Sequence, residues 1–277
     1  MDVKSFSTVV EETEADGLRI DKYVAEYLEL FTRSQLKQRS VEFLVDGQPV
    51  KASRPVRLGS VLEIRYAPPE PLSVEAEEVP IDIIYEDEHA IVVNKPQGMV
   101  VHPAAGNFSG TLVQGLLYHV EILRARFPDQ ELRPGIVHRL DKDTSGVIVA
   151  AKDPESFSFL SRQFAERKAD KRYLAEVRGV PSPPSGYVTH PIARDPRHRK
   201  KFTWRRADGK EALTEYRTLR RLEESSIVYL RPKTGRTHQL RVHMNSIGHP
   251  VVGDPLYGKS PPGRRDASLM LHAYSIR

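Results

Sequence analysis

The 277-residue sequence contains no cysteine, so disulfides and thiolate metal sites are excluded and nothing points to an oxidising compartment. Residues 1–8 lack the apolar core of a signal peptide, and no apolar run is long enough to span a bilayer. A cytoplasmic chain without a membrane partner is the expectation. Repeats and low-complexity tracts are absent as well. So are several catalytic signatures: no Gly-x-Ser-x-Gly elbow, no glycine-rich phosphate loop, no dinucleotide fingerprint and no His-Glu-x-x-His. His238 and His243 stand five apart while His102, His138 and His249 are scattered, so no metal is expected. A cofactor-free reaction is the class that remains.

What is present is unevenly charged. The net charge is +5, a weak hint of an anionic partner. Residues 70–89 hold eight carboxylates and no Lys or Arg, the composition of a solvated face. Residues 194–210 hold Arg194, Arg197, Arg199, Lys200, Lys201, Arg205, Arg206 and Lys210 against Asp195 and Asp208. Phe202 and Trp204 are interleaved there, a mixture suited to phosphates and bases together, and nucleic-acid contact is the reading preferred.

The run Pro68-Pro69-Glu70-Pro71 reads as an extended linker and divides the chain into residues 1–69, an acidic linker 70–80 and a larger domain 81–277. In the small module Leu18, Ile20, Tyr23, Val24 and Leu28 repeat at helical spacing, a second helix is read around Ser34, and Asp46-Gly47 is a hairpin signal. In the large domain strands are expected at 81–85, 90–94, 147–151, 171–180, 187–192, 212–219 and 227–231, with a brief one at 100–103. Helices are expected at 111–126, at 153–169 behind the N-cap pair Asp153-Pro154, and at 235–248 ending on Gly248. Helices among mainly antiparallel strands make a mixed α+β domain.

Chemistry concentrates in one turn, His138-Arg139-Leu140-Asp141-Lys142-Asp143-Thr144-Ser145-Gly146, immediately before an apolar strand. Loops on a stiff scaffold carry function. Asp141 lies between two cations, and Arg236 and Arg241 stand on the later helix; an arginine partner lowers a carboxyl pKa by about 1–3. Such a carboxylate suits a nucleophile or general base, although charge pattern alone favours a structural ion pair. Asp143-Thr144-Ser145-Gly146 resembles an aspartic-protease signature only superficially, because a residue is inserted.

The turn, together with Lys171-Arg172-Tyr173-Leu174-Ala175, residues 234–243 and residues 248–258, resembles the RluA-type RNA pseudouridine synthases over essentially 81–277. The order Arg19-Ile20-Asp21-Lys22-Tyr23, Ser34, Asp46-Gly47, Val56-Arg57-Leu58-Gly59 is similar to the S4 RNA-binding module, with Arg33, Lys37 and Arg39 on its helical polar face. The joint resemblance is to the subgroup that modifies large-subunit ribosomal RNA. It implies isomerisation of uridine to pseudouridine in RNA of the 23S type without a cofactor, by a chain expected to be monomeric. It also implies roles: Asp141 as the essential carboxylate, attacking the sugar or taking a proton from it, and Arg241 as its bidentate partner. Tyr173 would stack on the base or act as an acid/base group, and Arg139 would fill the gap left by the flipped nucleotide. His138, Thr144, Arg236, His238 and Gln239 would complete the substrate contacts, with local capping open for the helix residues and turn-shaping for 144–146. A non-catalytic RNA-binding or ribosome-assembly factor that keeps the fold is the rival reading.

Overall fold

The computed structural model describes residues 4–28, 30, 31, 36, 41–66, 74–104, 106–121, 123–127, 133–198, 200–258 and 268–277. The chain forms two compact units, Met1–Leu72 and Ser73–Arg277. In the first, strands β1 (Lys4–Val9), β2 (Val41–Val45), β3 (Gln48–Val50) and β4 (Val61–Tyr66) build an antiparallel sheet in the order β1-β4-β2-β3. Helix α1 (Ile20–Glu26) buries Ile20, Tyr23 and Val24 with Val45, Val56, Leu62 and Ile64, the stripe that its apolar spacing demanded. Asp46 and Gly47 have φ of 51° and 76°, the left-handed pair that a two-residue hairpin needs. The expected second helix around Arg33, Ser34, Lys37 and Arg39 and the linker prolines Pro68, Pro69 and Pro71 lie outside the described residues.

The second unit is built on an eight-stranded sheet ordered β5-β6-β7-β14-β8-β13-β12-β9. Its strands are β5 (Asp82–Glu86), β6 (Ala90–Lys95), β7 (Ser145–Ala151), β8 (Lys171–Arg178), β9 (Ser185–Val188), β12 (Thr214–Arg221), β13 (Ser225–Pro232) and β14 (Leu271–Ile276). Every pairing is antiparallel except β7 with β14 at the centre. Ile91, Val93, Ile148 and Ala150 of β6 and β7 pack on α2 (Leu112–His119), which buries Leu112, Val113, Leu116 and Leu117. With helices among mainly antiparallel strands, the fold is the α+β type expected.

Element boundaries depart from the sequence reading for identifiable reasons. Residues 100–103 form no strand; the Val100 and Val101 carbonyls accept the Leu112 and Val113 N–H groups at the start of α2, which Thr111 and Gln114 close as a capping box. The helix expected at 111–126 breaks at Val120, and only one turn, α3 (Leu123–Arg126), follows. Helix α4 (Pro154–Ala165) begins at Asp153, whose carboxylate accepts the Ser156 N–H, and ends before Arg167, which is left-handed at φ 60°. The basic stretch holds two short strands not anticipated, β10 (Ala193–Arg194) and β11 (Phe202–Thr203), paired as a separate hairpin.

The central parallel pair explains the glycine that ends the motif turn. Gly146 lies opposite Ala273 with φ +117°, and a Cβ there would stand 2.2 Å from the Ala273 carbonyl oxygen. Gly146→Ala must therefore strain its own backbone and push β14 away. The expected loss is at least about 2 kcal/mol, read as a lower urea midpoint.

Candidate active site

The motif turn is clamped from below and closed from within. Thr144, buried, donates its N–H to the Asp141 carbonyl at 3.1 Å. Lys95, at the end of β6, is 1% exposed. Its Nζ donates to the carbonyls of Pro96, Met99 and Lys142 at 2.8, 2.9 and 3.0 Å, and the Gly98 N–H joins it on the Lys142 carbonyl. Burial lowers the Lys95 pKa to about 8. Lys95 falls between the strands expected at 90–94 and 100–103, where no functional role was expected; its ammonium under the turn fixes the backbone beside Asp141.

Asp141 opens onto a cavity of about 460 Å³ walled by the motif turn, the end of α4, the start of β8 and residues 232–240. Its Oδ2 accepts from Arg241 Nη1 at 3.4 Å and lies 3.8 Å from His238 Nε2. Among the described residues its Oδ1 accepts no hydrogen bond, so one carboxylate oxygen is held and the other is available. Tyr173, on β8 beside β14, lines the same cavity; burial and then the Asp141 charge push its phenol pKa up. At neutral pH it is a neutral ring with a proton to give.

The bidentate pairing expected between Arg241 and Asp141 is made elsewhere. Arg241 sits on α5 (Gln239–Ser246), 3% exposed. Its Nε and Nη2 fork onto Asp254 at 2.7 and 2.8 Å, while Asp141 receives only the remaining Nη1. Asp254 Oδ1 also accepts the N–H groups of Leu256 and Tyr257. The physical reason is reach. The turn after α5 brings Asp254 back against the guanidinium in a fully buried place, where a fork is strongest. Asp254 thus fixes the guanidinium that touches Asp141, a role the sequence reading missed.

Helix α5 begins at Gln239, not at residue 235, because His238 is left-handed at φ 57°. That geometry sets His238 between Asp141 and Tyr257, whose hydroxyl is 2.8 Å from His238 Nδ1 and accepts the Phe202 N–H at 2.7 Å. Burial, opposed by Asp141, lowers the His238 pKa. Phe202 meets the His238 ring edge-on, so the β10–β11 hairpin, with Arg205 over the Trp204 ring, borders the site.

Two expected substrate contacts are also tied into the scaffold. Gln239 is buried, its Oε1 accepting from the Thr234 hydroxyl and the Arg236 N–H and its Nε2 donating to the Leu213 carbonyl and the Thr214 hydroxyl. His138 stacks on Phe164, and its Nε2 accepts the Val149 N–H at 3.1 Å. The Gln239 amide and the His138 Nε2 are thereby committed, because loop backbone at a strand edge must be hydrogen-bonded; both residues still line the cavity. Arg139 is exposed on the cavity wall with no hydrogen bond or ion pair among the described residues, and Arg236 lines it with Nε on the Glu211 carbonyl. Among the described residues no cluster of three or more His, Asp or Glu could hold a metal ion.

Burial, with a smaller push from the Lys171 charge, drives the His138 pKa to about 3, and burial drives that of His243, hydrogen-bonded to Thr214 and the His190 carbonyl, to about 4. Unfolded, both return to about 6.5. Between about 4 and 6.5 the unfolded chain therefore binds more protons than the folded one. Their stabilisation is complete above pH 6.5 and drains away as pH falls toward 4. Urea midpoints measured across that interval are expected to drop toward acid; for His243→Gln the drop is shallower.

Residues 89–246 match the family model described as RNA pseudouridylate synthase. A ribosomal large subunit pseudouridine synthase D of Borreliella burgdorferi is 42% identical over 94% of this chain and 82% of the relative. An uncharacterised RNA pseudouridine synthase of Aquifex aeolicus is 49% identical over 89% of this chain and 79% of the relative. Among solved structures, human RNA pseudouridylate synthase domain containing 1 superposes with a TM-score of 0.57 at 32% identity, covering 73% of this chain and 80% of that one.

Proposed function

The chain belongs to the RNA pseudouridylate synthase family, and from that premise we propose that it isomerises a uridine of large-subunit ribosomal RNA in the cytoplasm, with Asp141 as the reacting carboxylate. The observation that carries the site assignment is the half-held Asp141: on this cavity-lining residue Oδ2 is fixed by Arg241, while Oδ1 accepts no hydrogen bond among the described residues. The target base leaves the stack to reach that oxygen, at a cost of a few kcal/mol, and the unpaired Arg139 guanidinium on the cavity wall is suited to fill its place. Tyr173 stacks against the extruded uracil, and its neutral phenol can pass a proton during the rearrangement. Arg236 and His238 flank the nucleotide.

The isomerisation breaks the bond from ribose C1′ to uracil N1 and makes one from C1′ to C5, with the C5 hydrogen released as a proton and N1 taking one up. Atoms and electrons balance within the substrate, so no cofactor is called for. Outside the site, the small N-terminal unit, S4-like in its residue pattern, and the basic–aromatic β10–β11 hairpin supply sequence-independent contacts to the RNA backbone. The test follows from the bond change. The purified protein, given a large-subunit rRNA transcript tritiated at uracil C5, is expected to release tritium to water; no release would refute the assignment. Release from every control transcript alike would refute the ribosomal substrate.

A further inference from the structure

Among the described residues, Lys171 is a charged group with no partner in the cavity wall. It opens β8 two residues before Tyr173, so both side chains leave the same face of the strand, and both line the cavity. Its Nζ lies against the Gly235 backbone, 3.6 Å from where a Cβ on that glycine would stand. Among the described residues it makes no hydrogen bond and no ion pair. The nearby acids are committed: Asp170 to Arg172 and Arg231, Glu166 to Lys168, Glu215 to Lys233. Burial alone lowers the Lys171 pKa, with no carboxylate to raise it. The other cations on the wall, Arg139, Arg167, Lys233 and Arg236, face a single carboxylate, Asp141.

A partly buried, uncompensated ammonium costs the free protein stability and is retained where a ligand supplies the missing charge. Uracil and ribose are both neutral, so within RNA the only anion that can reach this wall is a backbone phosphate. We propose that Lys171, against the Gly235 backbone, seats a phosphodiester adjoining the target uridine and thereby sets the depth to which the nucleotide enters beside Asp141 and Tyr173. This rests on the pseudouridine-forming reading of the cavity.

The test compares the full-length wild type with Lys171→Gln and Lys171→Arg on the tritiated large-subunit rRNA transcript, with filter-binding constants across a salt series. Lys171→Gln is expected to weaken RNA binding about tenfold or more and to raise KM with it, with a far smaller change in kcat. The slope of log affinity against log salt should fall by about 0.7–1, one phosphate contact. Thermal stability without RNA should hold or rise, because a partly buried charge without a partner is gone, and Lys171→Arg should keep the wild-type slope. Unchanged affinity and slope in Lys171→Gln overturns the inference, as does a slope lost equally in Lys171→Arg. A fall in stability and kcat with affinity intact instead marks a packing residue and overturns it too. Absence of tritium release by the wild type would count against the reaction assigned to the cavity, whereas an active wild type with an indifferent Lys171→Gln sinks only the phosphate seat.

Discussion

Asp141→Asn is expected to abolish tritium release from uracil C5, a loss of more than about a thousandfold in kcat, while fold and RNA affinity persist. The amide is nearly isosteric and can still accept the Arg241 Nη1 hydrogen bond on one atom. What it lacks is the anionic oxygen left free by Arg241, so it can neither attack the ribose nor take a proton from it. The contacts of Asp141 to Arg241 and His238 are long, at 3.4 and 3.8 Å, so the carboxylate contributes little to folding. Thermal midpoint and filter-binding affinity should therefore stay near the wild-type values. Activity within tenfold of wild type would remove Asp141 from the chemistry.

The second large effect belongs to Asp254. Its side chain is fully buried and that of Arg241 is 3% exposed, so removing either leaves the other charge in the interior without its fork. Asp254→Ala also strips the acceptor from the Leu256 and Tyr257 N–H groups. A loss of about 3–5 kcal/mol in unfolding free energy is expected from urea denaturation. The double variant Asp254→Leu/Arg241→Met should recover much of that stability, because two apolar groups replace a pair whose desolvation is costly. Activity should not return with it, since Asp141 has then lost the guanidinium that fixes Oδ2. A double variant as unstable as Asp254→Ala, or one that regains activity, would contradict the positioning role of the pair.

These two cases show what the sequence made legible. Asp141, Tyr173 and Arg241 lie in compact blocks whose order resembles a known family; Asp141 and Tyr173 line one cavity, and the buried Arg241 reaches Asp141. Asp254 was invisible as a partner because the fork is made through a turn across 13 residues, and nothing in local spacing encodes that return. His138 and Gln239 stand inside motif blocks and were read as substrate contacts. The His138 Nε2 and the Gln239 amide also satisfy the Val149 N–H and the residues around Thr234, a requirement that only three-dimensional hydrogen bonding reveals. Lys171 and Lys95 were assigned no role from the sequence, yet one lines the cavity with no partner among the described residues and the other is sealed beneath the turn. Strands with alternating residues were found within a few positions of their expected ends. The failures came where backbone geometry overrides propensity, as at left-handed His238 and at the break after α2.

The most direct measurement is primer extension after carbodiimide labelling on a large-subunit rRNA transcript treated in parallel with wild type and Asp141→Asn. The expected result is a new stop at one or a few uridines with wild type and none with the variant. No stop with wild type, or the same stop with both proteins, would contradict the assignment of pseudouridine formation to Asp141.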